Sequence, residues 1–136
     1  MQSVFDGHND TLLRLWQAGD HQGRRFLDGD GDSHIDLPRA RTGGLAGGFF
    51  AIYVPNDDVL LPDRDDGSIA DEAPIGPVDG TRARRIVLEM AAILLRMCKA
   101  RPDVVRLCRS ASDIVRAEAE AAIAAVMHIE GAEAIG

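Results

Sequence analysis

The sequence predicts an α/β chain that supplies about the first three strands, with flanking helices, of a (β/α)8 TIM-type barrel. Three observations carry this. Apolar stretches at residues 4–5, 49–54 and 122–129 do not alternate with polar residues, as expected of strands buried on both faces of a parallel sheet. Between the second and third stretches, apolar residues recur at the 3.6-residue period of a helix. The first and last stretches run into His8 and Asp10 and into Glu130, and parallel barrels carry their chemistry at the C-terminal ends of their strands. Strand, helix, strand, helix, strand in that order implies crossover connections and a parallel sheet. A whole barrel typically takes about 250 residues, so the 136 residues here are expected to form the N-terminal portion of a single barrel domain.

Residues 3–10 begin with Val4 and Phe5 and turn polar at Asp6, the pattern of a short strand leaving the core. Leu12, Leu13, Leu15 and Trp16 then form an apolar turn or short helix that Gly19 stops. From 20 to 41 the composition shifts to Gly, Asp and Arg, with Pro38, which predicts a long irregular excursion. The second strand follows glycines at 43, 44, 47 and 48, runs through Phe49-Phe50-Ala51-Ile52-Tyr53-Val54 and is closed by Pro55. Residues 55–80 are acidic and rich in Pro and Gly, predicting a surface loop. A helix then carries Ala83, Ile86, Val87, Met90, Leu94 and Met97 on one face, capped by Asp79 or Thr81 and ended before Pro102. Residues 104–108 fit either a short strand or an extended connection. Ser110 and Asp113 resemble a capping box with Asp in place of Glu, opening a second helix to about Ala121. The last strand ends at Glu130-Gly131.

Composition narrows the function classes. The net charge of -7, from 15 basic and 22 acidic side chains with the basic ones scattered, argues against nucleic acid, which needs Lys and Arg gathered on one face. No apolar run approaches the roughly 20 residues that span a bilayer. Asp6, His8 and Asp10 follow Met1 closely, unlike the basic-then-apolar start of a secretion signal. A cytoplasmic protein without membrane association is therefore expected. Cys98 and Cys108 are too few for a disulfide framework and lack zinc-finger spacing, so both are expected as reduced, packed thiols.

His8 and Asp10 are two residues apart, so on an extended strand they leave the same face. Imidazole nitrogen and carboxylate oxygen are both good zinc ligands, although His-x-Asp alone is a weak signal. The wider stretch is more specific. Asp6-Gly7-His8-Asn9-Asp10 resembles the opening signature of the renal (membrane) dipeptidase family, metallopeptidases among the amidohydrolase-type barrels. His34-Ile35-Asp36-Leu37-Pro38-Arg39-Ala40-Arg41, the run from Gly44 to Pro55, and His128-Ile129-Glu130-Gly131-Ala132-Glu133 agree with that family in order and approximate spacing.

The resemblance implies zinc-dependent hydrolysis of dipeptides by a two-zinc centre. His8 and Asp10 would hold the first ion, and Glu130 would bridge the first and second. A shared carboxylate makes physical sense, because two nearby dications repel strongly without anionic oxygens between them. The second ion's histidines, an aspartate at the water, and a histidine and an arginine for the substrate would come from later strands. Residues 1–136 would thus hold the first half of the site and need the rest of the barrel. A non-catalytic fragment, or a split subunit completed by another chain, are the alternatives. A homodimer is implied only by the likeness. Tyr53 would line the substrate pocket, with an interior packing role equally open.

Other candidates carry less. Asp28-Gly29-Asp30-Gly31-Asp32 is similar to a calcium loop, but Ser33 and Arg39 stand where an EF-hand has Gly and Glu. His34 could face the site from its loop, and His128 lies two before Glu130 on the same strand face; for both, an ordinary surface or packed histidine is the plainer expectation. His21 has no partner at ligand spacing. The glycines at 43–48 lack the Lys-Ser/Thr ending of a phosphate loop.

Overall fold

The computed structural model describes residues 3–55 and 78–135. The expected acidic loop falls largely on residues outside these. Four strands, β1 (Val4–Asn9), β2 (Leu45–Ile52), β3 (Val105–Leu107) and β4 (Ile123–Ile129), form one sheet in the order β1-β2-β4-β3. Every pairing is parallel. The helices are α1 (Thr11–Gln17), α2 (Arg24–Asp28), α3 (Leu37–Gly43), α4 (Gly80–Ala100) and α5 (Ala111–Ala119).

Two expectations need correction. The sheet has four strands where about three were expected, because residues 104–108 resolve into the short edge strand β3, paired to the first half of β4. Glu130 therefore follows the fourth strand. The excursion at 20–41 also contains two short helices. Gly23 and Gly29, both at positive φ, bracket α2, while Asp36 caps α3 by accepting the Arg39 N–H, with Pro38 in its first turn. These are the cap and proline signals of a helix start, obscured by surrounding Gly and Asp.

The helical period of α4 buries Ala83, Ile86, Met90, Ile93, Leu94 and Met97. Its Asp79 cap accepts the Arg82 N–H. This face packs with Leu12 and Leu15 of α1 against Phe50, Ile52, Ile123 and Ala125 of the sheet. The Trp16 indole N–H donates to Glu89 at 2.7 Å, tying α1 to α4. Successive strand residues point to opposite faces, so Phe49, Ala124 and Val126 belong to the second face. There α5 covers only the start of the strands, through Ala117, Ala122, Ala124 and Cys108. Phe5 and Phe49, 40% and 37% exposed, lie further along that face, so β2 is buried on one side and partly open on the other.

Both cysteines are free thiols. Burial is the main cause pushing the Cys98 thiol up, to about 11, and it raises that of Cys108 too. Thiolate is the nucleophile, so a raised value means less reactive anion at a given pH. At pH 8 iodoacetamide is expected to alkylate native Cys98 at least about a hundredfold more slowly than the same thiol in urea, where it returns to about 8.5. Peptide mass analysis across a time course reads the two rates.

Candidate metal centre

The polar end of β1 is shaped by an irregularity. Asp6 pairs with Gly48 and Asn9 with Phe50, so β1 carries one residue more than β2 over this stretch. Such a bulge re-aims side chains. In a regular strand Phe5 and His8 would face opposite ways; here the His8 ring meets His128, which shares the second face with Phe49.

Side chains within the motif hold the bulge. The Asp6 carboxylate accepts the His8 backbone N–H at 3.3 Å and the Asn9 amide at 2.9 Å. Asn9, 6% exposed, also donates to the Phe49 carbonyl at 3.2 Å and accepts the Thr11 N–H at 3.3 Å. Gly48 makes room for this network, since a Cβ there would lie 2.9 Å from Asp6 Cβ and 3.4 Å from Asn9 Nδ2. Asp6 and Asn9 carry no role in the sequence-based expectations; a polar pair flanking the ligand motif was the available signal.

Asp10 sits at the N-cap of α1, past the end of the strand, and makes no capping bond with its side chain. Its convergence with His8 thus comes from the bulge and the strand-to-helix turn, and not from straight strand alternation. Glu130 follows β4, where its N–H donates to the Ile52 carbonyl at 3.0 Å. Gly131, at φ 85°, then turns the chain away.

These elements bring His8 Nε2 to 3.4 Å from Asp10 Oδ1 and 3.6 Å from Glu130 Oε2. Among the described residues, His8, Asp10 and Glu130 are the one group of three candidate ligands whose atoms lie within 4.8 Å of one another. Tetrahedral zinc with bonds of about 2.0–2.2 Å holds its ligand atoms about 3.3–3.6 Å apart, so the donor set and spacing fit that ion. All three side chains are about half exposed.

A cavity of about 360 Å³ opens beside the group, lined by His8, Asp10, Arg14, Arg25, Asp30 and His34 among others. His34 therefore reaches the site's surroundings, while His21 is exposed elsewhere. The Asp30 carboxylate accepts the N–H groups of Asp32 and Ser33, the Ser33 hydroxyl and Arg25 Nε. Those bonds hold its pKa well below the usual carboxylate range and turn it onto its own loop. Tyr53 follows β2 at the same end of the sheet and is half-buried; it is not among the residues lining the cavity.

Asp6→Asn would set an amide N–H₂ against one of the two donors that the carboxylate now accepts. With His8 as a zinc ligand, the change is expected to weaken binding by about 10- to 100-fold, the usual cost of losing support behind a ligand. Calorimetric titration with zinc tests this, and affinity unchanged from the parent would remove Asp6 as the brace of the bulge.

A parallel β/α sheet with a His, Asp and Glu cluster at its C-terminal strand ends defines a barrel-type protein carrying a candidate metal centre. More particularly, the chain belongs to the membrane dipeptidase family, Peptidase family M19, whose sequence pattern matches residues 1–136. It is similar to a metallopeptidase from Rhodobacter sphaeroides, solved with a phosphinate mimic of the dipeptide L-Ala-D-Ala, at 40% identity and a TM-score of 0.81 over 98% of this chain and 39% of that one. A dipeptidase AC of the M19 metallopeptidases matches at 42% identity and a TM-score of 0.84, over 98% and 38%. A protein in the PQQ-III 3′ region of Acinetobacter calcoaceticus is 32% identical over 97% of this chain and 41% of its own length. The chain thus spans about two fifths of these relatives. No helix among the described residues is long and apolar enough to cross a membrane.

Proposed function

We propose that this chain contributes the first half of the binuclear zinc site of a dipeptidase, with His8, Asp10 and Glu130 as ligands. The observation that carries the proposal is the convergence of these three side chains, from β1, the β1–α1 turn and the end of β4, at spacings zinc accepts. Bound there, zinc would supply Lewis acidity toward a peptide carbonyl and bring the pKa of a water toward neutrality. His8 offers Nε2 as a neutral donor, and Asp10 and Glu130 add negative charge that offsets the cation. Glu130 faces His8 through Oε2, and its second oxygen suits it to a shared position between two cations. Asp6 and Asn9 hold the His8 backbone against the ladder. Tyr53, at the same strand ends, would contact the dipeptide.

The activity belongs to the complete barrel. Among the described residues, β1 forms one edge of the sheet, and on the far side of β4 only Ile123, Ala124 and Ala125 are paired, by β3. Further strands, from the same polypeptide or another, would cover these edges and bring the remaining ligands.

Titration of the metal-stripped protein with zinc, with hydrolysis of L-Ala-D-Ala followed in parallel, tests this. Two ions bound with turnover support a complete centre in the protein assayed. One ion without turnover supports the half-site in this chain. A folded protein that binds no zinc refutes the proposal.

A further inference from the structure

A metal-bound histidine usually has its second ring nitrogen hydrogen-bonded to a carboxylate or carbonyl, which fixes the ring. Among the described residues the His8 ring shows no such bond: its backbone N–H donates to Asp6, and its side-chain contacts to Asp10 and Glu130 are both through Nε2. The ring is half exposed and stands on a bulge. Packing takes over the orienting role. The His128 ring meets it at a centroid distance of 6.2 Å and an interplanar angle of 77°.

His128 is itself held. It meets Phe49 edge-to-face at 5.9 Å and 82°, and Phe49 meets Phe5 at 5.9 Å and 84°. Ala51 is the backbone neighbour of His128 and Phe49 that of Val126, so Phe49 and His128 are diagonal neighbours on one sheet face. The four rings run from β1 across β2 and β4 and back to the bulge of β1. His128 lies outside the three-ligand group.

We infer that His128 is a positioning residue for His8: its ring, wedged between Phe49 and His8, sets the rotation of the His8 imidazole so that Nε2 faces Asp10 and Glu130. This rests on the proposal that His8 is a metal ligand. Rings in edge-to-face contact gain modest energy beyond area burial, so the expected effect is a weakening of metal affinity, not its loss.

The test is titration of the metal-stripped protein with cobalt(II), reading affinity together with the visible absorption of the bound ion, for the parent and for His8→Ala, His128→Ala, His128→Leu and His128→Phe. Phe retains a ring edge, and Leu supplies bulk without one. We expect His128→Ala and His128→Leu to bind about three- to tenfold more weakly with an altered spectrum, and His128→Phe to stay within about twofold of the parent with its spectrum restored. Parent-like affinity and spectrum in both the Ala and Leu variants would overturn the inference, as would a His128→Phe variant as impaired as His8→Ala, which would make His128 a ligand. If His8→Ala itself binds like the parent, the metal-centre proposal fails first.

Discussion

Glu130→Ala is expected to lower zinc affinity at the proposed half-site by more than about a hundredfold, exceeding what loss of a supporting residue costs. The side chain supplies one of three converging donor groups and half of their anionic charge. Stability without metal should change by no more than about 0.5 kcal/mol, as for most surface substitutions, because Glu130 is half exposed and its ion-pair contact is with His8. Two carboxylates near one another also gain little without a cation between them. Glu130→Gln keeps an oxygen donor but loses the charge, so its affinity should fall between the parent and the alanine variant. Zinc calorimetry beside thermal unfolding separates the two quantities. Parent-like binding by folded Glu130→Ala would remove Glu130 from the centre.

Gly47→Ala should cost about 3 kcal/mol or more, at or beyond the upper end for overpacking. A Cβ at this position would overlap the Ala124 carbonyl oxygen and come to 2.7 Å from Ala124 Cβ and 2.9 Å from the Phe5 ring. The carbonyl belongs to the central β4 ladder, where Gly47 and Ala124 are register partners, so it cannot yield without breaking sheet hydrogen bonds. Gly7→Ala is the contrast, since a Cβ there meets nothing within 4 Å and the change should stay within about 1 kcal/mol. Urea unfolding of the two variants measures the difference. Equal midpoints would mean that β2 and β4 do not approach as closely as the structure has them.

Local chemistry made much of this protein legible. Apolar runs marked the strands at 49–54, bounded by Gly and Pro, and at 122–129, ending at Glu130-Gly131; the expected cover on both faces is met on the α4 side, while Phe49 is partly open on the other. The period of Ala83, Ile86, Val87, Met90, Leu94 and Met97 marked α4, because one helix face must be buried; Val87 is only partly buried, and Ile93 joins that face. His8 and Asp10 stood out as metal-binding residue types at a polar strand end, and the family resemblance carried by Asp6–Asp10 and His128–Glu133 added Glu130. The two short helices escaped notice because Gly and Asp dominate the composition there, and caps such as Asp36 are single-residue signals.

Residue order by itself determined the α/β class, the helix faces and the identity of the candidate ligands. Only the tertiary structure decided that β4 lies beside β2 with β3 outside it, that a bulge turns His8 toward Glu130, and that the rings of Phe5, Phe49, His128 and His8 form one row. Each of these depends on contacts between residues tens of positions apart, whereas periodicity and capping record only what a residue needs from its near neighbours.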